Sequence, residues 1–180
     1  MDSAPAGNTP RLDLVRLTEV DLDDVHALLD DPRLRRHMPL SSDMTRDEAA
    51  AWVAGKDAQW EENGYGPWAV LVDGAFAGWA GFQAEDGVAD LAVVLRPEHW
   101  GRGLEVARTC LDRGFRELGL DVAVMLLPLT RSPTRVVARL GFEPDGEVAY
   151  AGATFRRYRL TRDVWERGPG PATRATTAAR

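Results

Sequence analysis

The amino-acid sequence predicts an α+β domain: a mixed, mostly antiparallel central sheet with one parallel strand–helix–strand crossover from its fourth strand to its fifth. Three observations carry this prediction. Asp73-Gly74 and Asp86-Gly87 each join two apolar runs, and Asp-Gly there marks a tight antiparallel hairpin, because both central residues of such a turn take positive φ. An amphipathic pattern of helical period follows, from about 101 to 118. It leads into an unbroken apolar run, 122–127, as expected of a strand covered on both faces. Strand, helix and buried strand in that order make a crossover whose two strands run parallel.

Taken in order, residues 1–10 hold two prolines and a glycine with no apolar pattern, and are expected to form a flexible arm. Leu12, Leu14, Val15 and Leu17 open the sheet. Thr18-Glu-Val-Asp21 has capping-box spacing and precedes Leu22, Val25, Leu28 and Leu29 at helical intervals, until Pro32 interrupts. Thr45-Arg-Asp-Glu48 is a second capping box, opening a helix with Ala49, Trp52, Val53 and Trp60 on one side and Gly64 and Gly66 at its end. Strands are predicted over 68–72, 75–83 and 88–95. The next helix carries Leu104, Ala107, Leu111, Phe115 and Leu118 on one face. After the buried strand, Ser132-Pro133 opens a short helix with serine at the cap and proline at the first helical position; Val136, Val137 and Leu140 are its inner stripe and Gly141 its end. Two last strands lie near 147–150 and 154–160. Residues 167–180 have no large apolar side chain, cannot offset their ordering entropy by burial, and are expected to be a disordered tail. A single domain over 11–166 is the result.

Composition narrows the function. The chain has 180 residues, 44% hydrophobic and 28% charged, which suits one globular domain. No apolar run is long enough to cross a bilayer, and the first residues have neither a basic nor an apolar signal region, so a cytoplasmic protein without membrane contact is expected. The net charge of −6 argues against general nucleic-acid binding. That charge is uneven: residues 1–95 carry 7 basic and 18 acidic side chains, whereas residues 96–139 carry 8 basic and 5 acidic. Cys110 is the only cysteine, excluding an intrachain disulfide, and is expected to be a core thiol. His26, His37 and His99 lack metal-ligand spacing, so no metal is expected. Of the six tryptophans, Trp52, Trp60, Trp68 and Trp79 are expected in the core, with one or two of them, beside Tyr65 or His37, as candidates to wall an acceptor pocket. No Gly-x-Ser-x-Gly elbow supports a hydrolase.

The chemistry concentrates at His99-Trp-Gly-Arg-Gly-Leu104, where a strand passes into a helix. Two glycines let the backbone approach a ligand closely, and the N–H groups of a helix start can bind phosphate oxygens without a dedicated lysine. A P-loop is excluded, because Gly-Lys-Ser/Thr is absent. A dinucleotide fingerprint is excluded too, because it needs a third glycine or alanine near Val106 within a doubly wound sheet.

Residues 88–118 and 122–142 together resemble the GNAT superfamily of acyl-CoA-dependent N-acyltransferases. The branch most similar includes the ribosomal-protein N-terminal alanine acetyltransferases. The most specific parts are Arg96-Pro-Glu-His-Trp-Gly-Arg-Gly-Leu104 and Ala138-Arg-Leu-Gly-Phe142, and the likeness extends over nearly all of 11–162. The resemblance implies the acyl-CoA N-acyltransferase fold, with acetyl-CoA as co-substrate and a small amine or a peptide N-terminus as acceptor; the acidic excess of residues 1–95, which hold the helices expected to border the acceptor, points to a cationic amine. A GNAT-like module that binds CoA without transfer is the alternative. Dimerisation is common in the family, which leaves a homodimer open. Val93, Val94 and Leu95 would bond the pantetheine arm through their backbone, in a gap where the fourth strand splays from the fifth. The N–H groups of Gly101, Arg102, Gly103, Leu104 and Glu105 would cradle the pyrophosphate. Trp100 stands where the motif usually has Gln or Arg, and Arg96, Arg102, Arg131 and Arg135 are placed to meet phosphates.

Three positions depart from the family pattern. Glu105 replaces a glycine or alanine; a like charge about 6 Å from the pyrophosphate could cost up to roughly 3 kcal/mol at an effective dielectric near 20. It is expected to turn outward. Thr130 stands where asparagine is frequent, and Val137 where many members have a tyrosine acid for the leaving thiol. A thiol is a tolerable leaving group as thiolate, so the harder need is a base for the ammonium. Asp90, where members often have glutamate, is the best candidate; Glu85 and Asp86 are weaker. The oxyanion would meet backbone N–H near Val94. Ser132 can protonate the thiolate or serve only as a helix cap.

Overall fold

The computed structural model describes residues 10–35, 44–85, 87–129, 134–150 and 152–168. Its elements are β1 (Leu12–Arg16), a 3-10 turn (Leu17–Glu19), α1 (Leu22–Leu29), α2 (Pro32–Arg35), α3 (Arg46–Asn63), β2 (Pro67–Val72), β3 (Ala75–Glu85) and β4 (Val88–Leu95). There follow a 3-10 segment (Pro97–Arg102), α4 (Gly103–Arg116), β5 (Val122–Pro128), α5 (Thr134–Leu140), β6 (Glu143–Tyr150), β7 (Ala153–Thr161) and α6 (Arg162–Arg167). The seven strands form one sheet in the order β1-β2-β3-β4-β5-β7-β6. Only the β4–β5 pair is parallel; all other neighbours are antiparallel. The predicted fold class is the observed one.

Helices cover both faces. On one, α1 and α3 bury Val25, Leu28, Leu29, Ala49 and Val53 against Ala69, Phe76 and Trp79 of the sheet, with Ala92 and Val94 of β4 alongside. On the other, α4 buries Val106, Ala107, Cys110, Leu111 and Phe115, and α5 buries Val137 and Leu140. Full burial of such a side chain stabilises the fold by about 1.5–3 kcal/mol. Burial also pushes the Cys110 thiol up to about 12, because a thiolate would be stripped of water there.

Local chemistry sets the helix ends. Thr45 and Glu48 form the expected capping box: the Glu48 N–H donates to Thr45 Oγ1 (3.3 Å) and the Thr45 N–H to Glu48 Oε2 (2.7 Å). The Thr18-Glu-Val-Asp21 box does not form. Asp21 itself caps α1, accepting from the Asp23 N–H, while Glu19 reaches back to the Arg16 N–H and closes the 3-10 turn. Pro32 starts the extra turn α2. The helix placed from Gly101 begins at Gly103, preceded by the 3-10 segment. β6 starts at Glu143, four residues before its predicted start. α6, for which the sequence predicts no element, is capped by Thr161 and fixed to α4 by Trp165, whose Nε1 donates to Asp112 at 3.1 Å. Asp86, the proposed cap of α5 at Ser132 and the segments 1–9 and 169–180 lie outside the described residues.

Candidate functional site

The ladder between β4 and β5 is short. Ala89 pairs with Ala123 and Asp90 with Val124, and there it stops, although β5 continues to pair with β7 as far as Pro128. β4 therefore leaves β5 after Asp90 and opens a gap in the sheet. At the fork, Asp90 Oδ1 accepts from the Leu126 N–H at 3.2 Å. Its residue is only 7% exposed and is the one charged residue buried among those described. The carboxylate thus satisfies a β5 donor that the fork would orphan, which would cost about 1–3 kcal/mol if left unpaired.

Strand geometry decides which backbone groups face the gap. The Arg96 N–H donates to Ala77 O at 2.8 Å, toward β3. Backbone groups alternate sides along a strand, and β4 pairs with β3 without a register shift. The groups of Ala92 and Val94 accordingly face β3, and those of Val93 and Leu95 face the gap. Trp100 Nε1 occupies one of them, donating to Leu95 O at 2.9 Å. Of the three residues read as a pantetheine rail, Val93 and Leu95 present backbone to the gap, whereas Val94 turns its own toward Trp79 of β3. An oxyanion donor in the gap would be the N–H of Val93 or Leu95 rather than Val94.

Beyond β4 the chain enters the glycine turn. Neither Gly101 nor Gly103 has a left-handed φ, and a Cβ built on either would meet nothing within 4 Å. Nothing among the described residues requires glycine there, and a bare turn fits the close approach of an external pyrophosphate. The N–H of Gly103 is donated to Trp100 O inside the 3-10 segment. Leu104 packs at the edge of the core. Glu105 is not turned away alone: Arg102 grips it through Nε (2.9 Å) and Nη2 (2.8 Å). Nη2 also donates to Pro10 O (2.9 Å), and Nη1 is buried with no partner among the described residues. The pair cancels the charge that Glu105 would bring to a phosphate, and the Glu105 carboxylate raises the Arg102 pKa through that hydrogen bond.

The remaining candidates separate. Arg96 directs its guanidinium to Asp24 of α1 (2.6 Å) and over the Phe76 ring (5.1 Å), away from the helix start. Arg135 lies exposed on α5. Val137, at the position of the absent tyrosine, is a core residue 4% exposed. Ser132, Thr130, Arg131 and His37 fall outside the described residues, and the side chain of Glu85 is likewise not described. No cluster able to hold a metal occurs among the described residues.

One group escaped the sequence reading. Lys56 of α3 donates to Oε1 of Gln83, with its Nζ 5.6 Å from the ring centroids of both Trp52 and Trp79. Gln83 stands opposite Asp90 in the β3–β4 ladder. Trp52 and Lys56 are spaced i, i+4 on one helix face, which was a visible signal. Their meeting with β3 was not visible, because it depends on how α3 crosses the sheet. Trp79 is 3% exposed, and its Nε1 has no partner among the described residues.

Known proteins share this architecture. A GNAT-family acetyltransferase assignment from Bordetella pertussis has a structure that superposes with a TM-score of 0.71 at 25% identity, over 84% of this chain and 96% of that one. An acetyltransferase from Agrobacterium tumefaciens matches with a TM-score of 0.69 at 22% identity, over 89% and 96%. The spermidine N-acetyltransferase of Vibrio cholerae, solved with CoA and spermine, matches with 0.69 at 16% identity, over 86% and 98%. The sequence model of the acetyltransferase (GNAT) domain matches residues 11–143, a span that runs from β1 through the forked strands and the glycine turn to the start of β6. On that match, the chain belongs to the GNAT acetyltransferase family.

Proposed function

We propose that the protein is an N-acetyltransferase that moves an acetyl group from acetyl-CoA to a primary amine, either a small cationic amine or a peptide N-terminus. The observation that carries this reading is the gap after Asp90, with Val93 and Leu95 facing it and a side-chain-free turn at one end. The backbone of Val93 and Leu95 would hold the pantetheine amides as an added strand would be held. The turn from Gly101 to Glu105, apart from the Gly103 N–H already given to Trp100 O, would take the pyrophosphate, with Arg102 neutralising Glu105 beside it.

Transfer needs a neutral amine. Asp90, on the α1/α3 face, takes a proton from the acceptor ammonium directly or through one water. The amine nitrogen attacks the thioester carbon, and an N–H of the gap stabilises the oxyanion. The C–S bond then breaks with its electron pair on sulfur, nitrogen gives its second proton to solvent, and sulfur leaves as thiolate or takes a proton from solvent or Ser132.

Two observations favour the alternative, a CoA-binding module without transfer: Val137 is a core residue, and Asp90 already has a structural role toward Leu126. Free-thiol release across a panel of amines separates the two. Asp90→Asn keeps an oxygen for the Leu126 N–H, so the transferase reading predicts turnover reduced by about 10²–10⁴-fold with CoA affinity unchanged. CoA binding without amine-dependent thiol release would establish the module instead.

A further inference from the structure

Lys56 is the only lysine of the chain, and α3 carries its ammonium into a place built for a cation. Two indole faces and an amide oxygen surround Nζ, the chemistry that holds an ammonium. Its position along the sheet matters as much. Trp79 lies opposite Val94, and Gln83 opposite Asp90. The sheet partners of the ammonium therefore belong to β3, one strand from the β4 stretch 90–94, on the face that Asp90 shares with Ala92 and Val94. Ala92, midway along that stretch, offers only a methyl group. The gap opens along the far edge of the same stretch, beyond β4, which itself lies one strand spacing, ~4.8 Å, from β3.

We propose that Lys56 is itself an acetyl acceptor, so that the protein acetylates its own chain; this rests on the transferase reading above. A long side chain carries a primary amine to Gln83, the register partner of the buried Asp90, on the sheet face of that carboxylate and one strand short of the fork. The ammonium gives one proton to Asp90, directly or through water. The nitrogen attacks the thioester carbon; the C–N bond forms and the C–S bond breaks with its electron pair on sulfur. The second nitrogen proton passes through solvent to the thiolate. The products are Nε-acetyl-Lys56 and CoA thiol. The modified side chain has lost the charge held between Trp52 and Trp79 and fills the acceptor side of the fork, so the reaction limits its own enzyme.

The test uses the full chain with acetyl-CoA and no added amine, followed by intact mass and peptide mapping. The expected result is one acetyl group per chain, located at Lys56, absent in Lys56→Arg and slowed about tenfold or more in Asp90→Asn. The urea-unfolded chain, at the same acetyl-CoA concentration, should acylate at least about tenfold more slowly than the folded one, having lost the placement of the amine. CoA binding and thiol release with the amine panel are measured in parallel. If those occur and Lys56 stays unmodified, self-acetylation is overturned while the transferase reading stands; if CoA does not bind, both fall. Acetylation equally fast in the unfolded chain, or mapped elsewhere, also overturns the proposal.

Discussion

At the residue scale, Arg102 and Glu105 form the pair on which the glycine turn's electrostatics depend. Glu105 looks hostile to a phosphate in the sequence, because a partner three residues away cannot be inferred from charge alone. In the structure the guanidinium fork holds both carboxylate oxygens. Arg102→Ala should therefore weaken CoA binding about tenfold or more, by exposing an uncompensated carboxylate. Adding Glu105→Ala to that variant should restore most of the loss, and calorimetric titration of the four proteins closes the cycle. Equal, additive losses would mean the two side chains act independently of one another. Cys110 gives a pH prediction. Its folded pKa, raised to about 12 from 9.0 by burial, leaves the folded chain holding a proton that the unfolded chain releases above pH 9. The stability present below pH 9 is then lost progressively as pH rises toward 12. Cys110→Ala should flatten that part of the melting-temperature profile.

At the scale of elements, the turn and α4 separate folding from binding. Gly103 has a helical backbone (φ −55°, ψ −37°), and a Cβ there meets nothing. Gly103→Ala should raise stability by about 0.4–1 kcal/mol through the unfolded chain. If the bare turn serves a ligand, the same change should lower CoA affinity, so thermal melting and titration move in opposite directions. Thr45→Ala should cost about 1 kcal/mol in a denaturant melt, because it removes the cap of α3. These elements also show what the sequence made legible. Asp73-Gly74, the Thr45 box, the apolar run of β5 and the glycine turn are local patterns whose physics is complete within a few residues. The Thr18 box failed because Asp21, the carboxylate it needs at its third position, caps α1 itself by accepting from the Asp23 N–H. α6 was missed because its anchor is the distant Asp112. The end of the β4–β5 ladder and the Lys56 cluster depend on how strands and helices meet, and no window of sequence contains that.

At the scale of the whole molecule, the proposed function divides two jobs between the faces of the sheet. α4 and its turn stand on the side that would receive the CoA phosphates, and α1 and α3 on the side of Asp90 and Lys56. The acidic excess of residues 1–95 is not a bare field around that second side. Asp23, Asp24 and Asp57 are held by Arg46, Arg96 and Arg16 at 2.6–2.7 Å. Global charge is therefore a weak guide to the acceptor, and the arrangement at the fork is a stronger one. The fork, where β4 gives up its neighbour after Asp90, is the proposed seat of the thioester. Amide hydrogen exchange, followed residue by residue by NMR with and without CoA, tests that directly. The N–H groups of Val93 and Leu95 should exchange at least about tenfold more slowly with CoA bound, while those of Ala92 and Val94, already facing β3, should be protected in both states. Unchanged exchange at Val93 and Leu95 under saturating CoA would contradict the account.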